Sequence, residues 1–157
     1  MDYHNLFTID NDTLYWRHRA NSCTPAGTKA GTLRNDGYIG IFIKGKYFFA
    51  HRILWEMQVG LIPQGLFLDH INGIRDDNRI SNLRICTTQE NAYNRAKQSN
   101  NKSGFKGVCW HKQKQKWVAQ IKIDGRNKFL GFFIDPTDAY ARYCEVAIER
   151  YGDFAQL

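Results

Sequence analysis

The chain has 157 residues, room for one domain or two small ones, and its 43% hydrophobic content excludes a disordered polymer. Twenty-two Lys and Arg against 15 Asp and Glu leave a net charge of +7, which favours a polyanionic partner. Cys23, Cys86, Cys109 and Cys144 stand singly, which argues against a C-x-x-C zinc knuckle or a disulfide ladder; the N-terminus is too polar for a signal peptide, and no apolar run nears the roughly 20 residues of a membrane span. The expectation is a soluble intracellular protein with reduced thiols.

In chain order, residues 1–32 carry little signal beyond a short strand at Leu14-Tyr15-Trp16 and a Pro/Gly loop over 22–31, and no function is assigned there. Arg17, His18 and Arg19 read as a solvated basic patch. Tyr38 to Ile43 and Lys46 to Ala50 are rich in β-branched and aromatic residues, and Lys44-Gly45 between them makes a tight hairpin. Residues 51–59 place Ile53, Leu54 and Met57 at helical spacing before Gly60. His51 on that helix is expected to be a buried histidine, packed against Trp55 or hydrogen-bonded nearby, before a catalytic one. Leu66-Phe67-Leu68 reads as a strand running into Asp69, with Leu83-Arg84-Ile85 as its returning partner. Thr87 or Thr88 then caps a helix whose first turns hold Gln89, Glu90 and Asn91.

The stretch from Asp69 to Asn91 is dense in metal and proton chemistry. A hard divalent cation takes a carboxylate and neutral oxygens, which Asp69 and the Asn91 amide can supply while leaving positions for phosphate and water. His70 then serves as a base, since an imidazole with an ordinary pKa of about 6.5 accepts a proton near neutral pH. The competing reading is an Asn/Asp-rich surface loop, because these residues favour turns. Asp76 and Asp77, beside Arg75 and Arg79, read as turn formers.

Asp69-His70, the loop from Asn78 to Asn82-Leu83, and Asn91 together resemble the HNH nucleases, most closely the phage and intron-encoded homing branch. The segment G-Y, hairpin, A-H-R-I-L-W ahead of them resembles the same branch. The resemblance implies two antiparallel strands and a helix around one metal ion, Mg²⁺ with Mn²⁺ as the alternative. It further implies that Asp69 and Asn91 hold the metal, that His70 activates water, and that Asn82 steadies the hairpin and His70. Asn91 stands where many relatives carry a His.

Residues 96–103 are Ser-, Asn- and Lys-rich without hydrophobic periodicity and read as a linker. Beyond it, FKGVCWH, KWVAQIKI and RNKFLGFF read as three strands with Asp124-Gly125 in the second turn. A helix follows, with Asp135 as N-cap, Pro136 at N1, and a stripe of Ala139, Tyr143, Val146 and Ala147 before Gly152. Residues 104–157 resemble the plant ethylene-response-factor (APETALA-type) DNA-binding domain through Phe105-Lys106-Gly107-Val108, Lys116 to Ile121, Phe129 to Phe133 and the helix A-Y-A-R-Y-C-E-V-A-I-E-R-Y-G. The resemblance implies a sheet face laid in the DNA major groove. The DNA-binding candidates are Lys106, Trp110, His111, Gln120, Lys122, Arg126 and Lys128. From Lys102 to Lys128 there are eight basic residues and one acidic residue, whereas Phe129 to Leu157 has two basic and five acidic. The pattern shows no exposed aromatic pair of the single-strand-binding kind, which places an RNA-directed nuclease third.

The expected fold class is α+β: an N-terminal ββα-metal module over 1–95 with its β-rich extension, and a C-terminal three-stranded antiparallel sheet packed on one helix over 104–157. The expected function is a metal-dependent endonuclease of double-stranded DNA leaving 5′-phosphate and 3′-hydroxyl ends, of phage or mobile-element type and acting in a bacterial cytoplasm. No membrane and no small-molecule substrate are implied, and a monomer is the favoured state. The rival is a catalytically silent DNA-binding regulator built from the same two modules.

Overall fold

The computed structural model describes residues 1–94, 101–155 and 157. Its architecture is α+β, and the chain divides into two units, Met1–Thr88 and Gln89–Leu157. Residues 96–100 of the expected linker lie outside the described residues. No described helix is long and apolar enough to cross a membrane.

In the first unit, β1 (Phe7–Asp10) and β2 (Thr13–Trp16) form a hairpin whose turn residues Asn11 and Asp12 both have positive φ, 45° and 53°. That is the backbone a two-residue hairpin turn demands, and Asn and Asp tolerate it because their short polar side chains bond locally. Strand β1 was not visible in the sequence pattern. β3 (Thr32–Leu33), β4 (Ile39–Ile43) and β5 (Lys46–Phe49) make a second antiparallel sheet, with Lys44 and Gly45 at φ 47° and 82° in the expected turn. Helix α1 (Ala50–Gln58) starts directly from β5. Phe7, Leu14, Ile41, Ile43, Ile53 and Leu54 close one core between these elements. β6 (Phe67–His70) pairs with β7 (Leu83–Cys86), and a single 3₁₀ turn, Ile80–Asn82, feeds β7.

The second unit opens with α2 (Thr88–Tyr93), whose first residue closes the unit before it. Tyr93 stacks on Tyr151 at 3.9 Å between centroids, and Gln89 Nε2 donates to Asp124 Oδ1 at 2.8 Å. β8 (Val108–His111), β9 (Lys116–Ile123) and β10 (Arg126–Phe133) form an antiparallel sheet in the order β10-β9-β8. Helix α3 (Pro136–Tyr151) covers one face. Asp135 caps it, accepting from the Thr137 N–H at 2.7 Å and the Thr137 hydroxyl at 2.6 Å. The expected stripe of Ala139, Tyr143, Val146 and Ala147 is buried, packed with Val108, Ala119 and Ile121 from the sheet. The helical period and the strand period thus meet on one core.

The register of β10 contains a bulge. Phe129 pairs with Gln120, but Gly131 pairs with Ala119 and Phe132 with Val118. One extra residue on β10 therefore brings Phe129 and Phe132, three apart in sequence, onto the same face. Gly131 takes φ 143° there.

Candidate active site

Asp69 and His70 are the last two residues of β6, and Asn82 directly precedes β7. The hairpin pairs Asp69 with Arg84 and His70 with Leu83. Alternation along β6 would normally send one of the two polar side chains to solvent, yet Asp69 and His70 are both buried, 9% and 4% exposed. Burial of such groups is stable only with partners. Asp69 has one in Arg84, whose Nε and Nη2 donate to its Oδ2 at 3.2 and 3.1 Å. The sequence reading missed Arg84, although the cross-strand register of the expected hairpin would have placed it there.

His70 Nε2 lies 3.1 Å from Asn78 Oδ1. With the amide oxygen toward the ring, Nε2 carries the hydrogen and the basic lone pair lies on Nδ1. For Asn82 the resemblance implies two duties, to steady the hairpin and to steady His70, and the structure brings a different asparagine to each place. Asn82 ties the loop, accepting from the Asn72 N–H at 3.1 Å and donating to Asn72 Oδ1 at 3.0 Å and to the Asp77 carbonyl at 2.8 Å. Asn78 meets the imidazole. Both are buried, at 7% exposure. Asp77 is a loop former, as expected: it accepts two bonds from Arg79 and one from Asn72, which hold its carboxyl well below the usual range.

The His70 ring packs against His51 at 4.9 Å and Tyr38 at 5.9 Å between centroids. His51 is buried, as expected, but its ring neighbours are Tyr38, Phe49 and His70 in place of the expected Trp55, and its Nδ1 has no hydrogen-bond partner among the described residues. Burial first, then the neighbouring His70 and Arg52, push its pKa down to about 3. A neutral imidazole therefore stands beside His70. A cleft of about 440 Å³ lined by Leu6, Trp16, Arg19, Phe42 and Lys44 lies in the same unit but includes neither Asp69 nor His70.

No cluster of three or more His, Cys, Asp and Glu side chains gathers among the described residues, so no soft tetrahedral donor set is present there. Asp69 supplies one carboxylate. That fits a hard cation such as Mg²⁺, which commonly takes one or two carboxylates and completes its shell with substrate phosphates and water. Asn91 lies half-buried on α2, in the second unit.

On the second unit's sheet, the seven DNA-binding candidates do not share a face. His111, Gln120 and Lys122 alternate onto the side away from α3, together with Lys116, Phe129 and Phe132. Trp110, Arg126 and Lys128 pair with Trp117, Ile123 and Ile121 on the α3 side. Lys106 is drawn inward: its Nζ donates to the Tyr93 carbonyl at 3.0 Å, and burial lowers its pKa. The bulge leaves an aromatic pair on this face that strict alternation does not predict, Phe129 and Phe132, 56% and 41% exposed.

Residues 48–93, from the end of β5 through α2, match the HNH endonuclease family. Over that span the chain is similar to HNH endonucleases. Its relatives include protein 3.8 of Escherichia phage T7, 34% identical over 76 residues, which covers 48% of this chain and 63% of that protein. An uncharacterized HNH endonuclease of Acanthamoeba polyphaga mimivirus is 29% identical over 124 residues, 78% of this chain and 63% of the relative. The matches thus span a little under two thirds of either relative's length. A solved structure of the HNH homing endonuclease I-HmuI, which concerns DNA binding and cleavage by that enzyme, aligns with 93% of this chain and 77% of its own at a TM-score of 0.44 and 24% identity. The matched span includes Asp69, His70, Asn78, Asn82 and Asn91.

Proposed function

We propose that the chain is a metal-dependent endonuclease that hydrolyses phosphodiester bonds of double-stranded DNA. The observation that carries this reading is the His70–Asn78 contact beside Asp69 inside the span similar to HNH endonucleases: a buried imidazole whose far nitrogen is held by an amide, next to one carboxylate. Its chemistry starts at Nδ1 of His70, which takes a proton from a water aligned with the phosphorus, while Asn78 keeps the hydrogen on Nε2. Asp69 would hold the cation, its carboxylate oriented by Arg84, and the family resemblance implies the Asn91 amide as a second ligand. When bound, the cation supplies positive charge for the phosphoryl oxygens and the departing 3′ oxygen. The ends left are a 5′-phosphate and a 3′-hydroxyl. One such centre cuts one strand, so a monomer nicks.

The second unit is read as an ethylene-response-factor-type module that holds the target. Its basic, three-stranded sheet on one helix and the excess of Lys and Arg between residues 102 and 128 support that reading.

The test uses supercoiled plasmid with Mg²⁺. His70→Ala is expected to lower nicking by about 10²- to 10⁴-fold, the usual worth of a positioned general base, while duplex affinity measured in chelator stays within about twofold. The 4% exposure of His70 favours one rival, a DNA-binding protein without turnover. Relaxed circles formed with Mg²⁺ and abolished by chelator exclude that rival; supercoiled plasmid that survives every divalent cation establishes it.

A further inference from the structure

The exposed ridge on the second unit's sheet has chemistry that general phosphate binding does not use. Phe129 and Phe132 lie 5.0 Å apart between centroids at 59°, and His111 meets Phe132 edge-on at 5.3 Å. Most large aromatic side chains in a sheet of this size would face the helix, as Trp117 and Phe133 do here. Phe129 lies on the other face by plain alternation opposite Gln120, and the bulge between Phe129 and Gly131 brings Phe132 to the same side. Around the ridge stand Lys116 and Lys122, both exposed, and Gln120, the direct cross-strand partner of Phe129. A cross-strand pair sits about 5 Å apart at Cβ, so the amide and the ring work on one spot.

A duplex major groove offers a single apolar group, the thymine 5-methyl, and one edge that pairs with a side-chain amide through two bonds, that of adenine. An apolar ridge flanked by an amide complements an A·T base pair on both counts, and the cationic surface around it complements the phosphates of any duplex. We propose that this face selects A·T-rich duplex, with Phe129 and Phe132 covering thymine methyls and Gln120 reading adenine. The inference rests on the reading of the second unit as the DNA-holding module. Mutual tilting of the two rings argues for methyl contact over base stacking, since rings inclined at 59° to one another form one ridge and not two parallel platforms.

The experiment measures equilibrium binding of the full chain, in chelator, to an alternating adenine–thymine duplex and to the same duplex with uracil for every thymine. Uracil lacks only the methyl. The wild type is expected to prefer thymine by about fourfold for each methyl covered, the value of one buried methyl-sized group. A matched G·C duplex should gain affinity when cytosine is replaced by 5-methylcytosine, which restores a methyl at the same groove position. The double variant Phe129→Ala, Phe132→Ala should bring the thymine-to-uracil ratio to about one, whereas Phe129→Leu should keep part of it. Lys122→Ala should weaken both duplexes alike. Equal binding of thymine and uracil duplexes by the wild type, with a steep salt dependence for both, overturns this inference and leaves DNA binding standing. Absence of duplex binding overturns both. Tighter binding of the single strand than of its duplex, lost in the double variant, replaces methyl contact by base stacking and likewise overturns it.

Discussion

The β6–β7 hairpin and the β8–β10 sheet are both small antiparallel structures, yet they treat polar groups in opposite ways. The hairpin buries Asp69, His70, Asn78 and Asn82, each 4–9% exposed, and satisfies them with Arg84, Asn72 and one another. The sheet does the reverse, exposing Phe129 and Phe132 and keeping Lys116 and Lys122 in solvent. Chemistry on a phosphate needs donors held in one geometry before substrate arrives, and burial with partners supplies that rigidity. Recognition of a long, flat polyanion needs side chains that reach outward. On the proposed function, one region is organised for reaction and the other for contact.

The contrast can be broken most severely at Gly107, where the sheet's rigidity depends on a missing side chain. Gly107 has φ 74°, its carbonyl accepts from the Gln120 N–H at 2.8 Å, and an added Cβ would fall within the Tyr143 ring and 2.7 Å from the Gln120 carbonyl oxygen. Gly107→Ala combines a left-handed backbone with overpacking, and the expected loss is about 3 kcal/mol for the second unit. Urea unfolding followed by circular dichroism measures it. A loss below about 1 kcal/mol means that α3 yields easily and that the sheet is no rigid platform.

These two regions also differ in what their sequences disclose. Lys44-Gly45 and Asp124-Gly125 announce their hairpins because both residues of each turn need positive φ, and all four have it. The α3 stripe is legible from its period and its Asp135 start. The hairpin chemistry is legible as residue types but not as pairings. Asn72, Asn78 and Asn82 have the same composition signal, and only the path of the loop decides that Asn78 meets His70 while Asn82 bonds Asn72 and Asp77. The sheet face is misread for a simpler reason: strict alternation puts residues 129 and 132 on opposite faces, and a one-residue bulge reverses that. Strand β1 escapes notice because Asn11-Asp12 is a turn without glycine.

Sharpening the reactive side of the contrast is the work of Asn78. If its amide oxygen fixes the hydrogen on Nε2 of His70, Asn78→Ala should lower the cleavage rate about 10- to 100-fold, the usual worth of a residue that orients an active group. KM for plasmid should hardly move. Asn78→Asp keeps an acceptor oxygen and should recover part of the rate. An unchanged rate in Asn78→Ala removes the positioning role and leaves the packing of His51 and Tyr38 as what holds the ring.

The smallest expected effect tests whether burial on the reactive side is costly in the way its chemistry implies. His51 is held down to about 3 by burial, His70 and Arg52, whereas an unfolded histidine titrates near 6.5. Between those two values the unfolded chain binds a proton at this position and the folded chain does not. Stability contributed by the neutral ring is therefore complete above about pH 6.5 and declines as pH falls, by up to about 1.4 kcal/mol per pH unit. The readout is the difference between the wild type and His51→Leu, in which contributions common to both chains cancel. Urea midpoints at pH 7.5, 6.5 and 5.5 should diverge, with the wild type losing stability faster than the variant below pH 6.5. Parallel curves would mean that His51 takes up its proton while folded, so that a charged ring stands 4.9 Å from His70 below about pH 6.5, and a pocket that keeps this ring neutral would have to be abandoned.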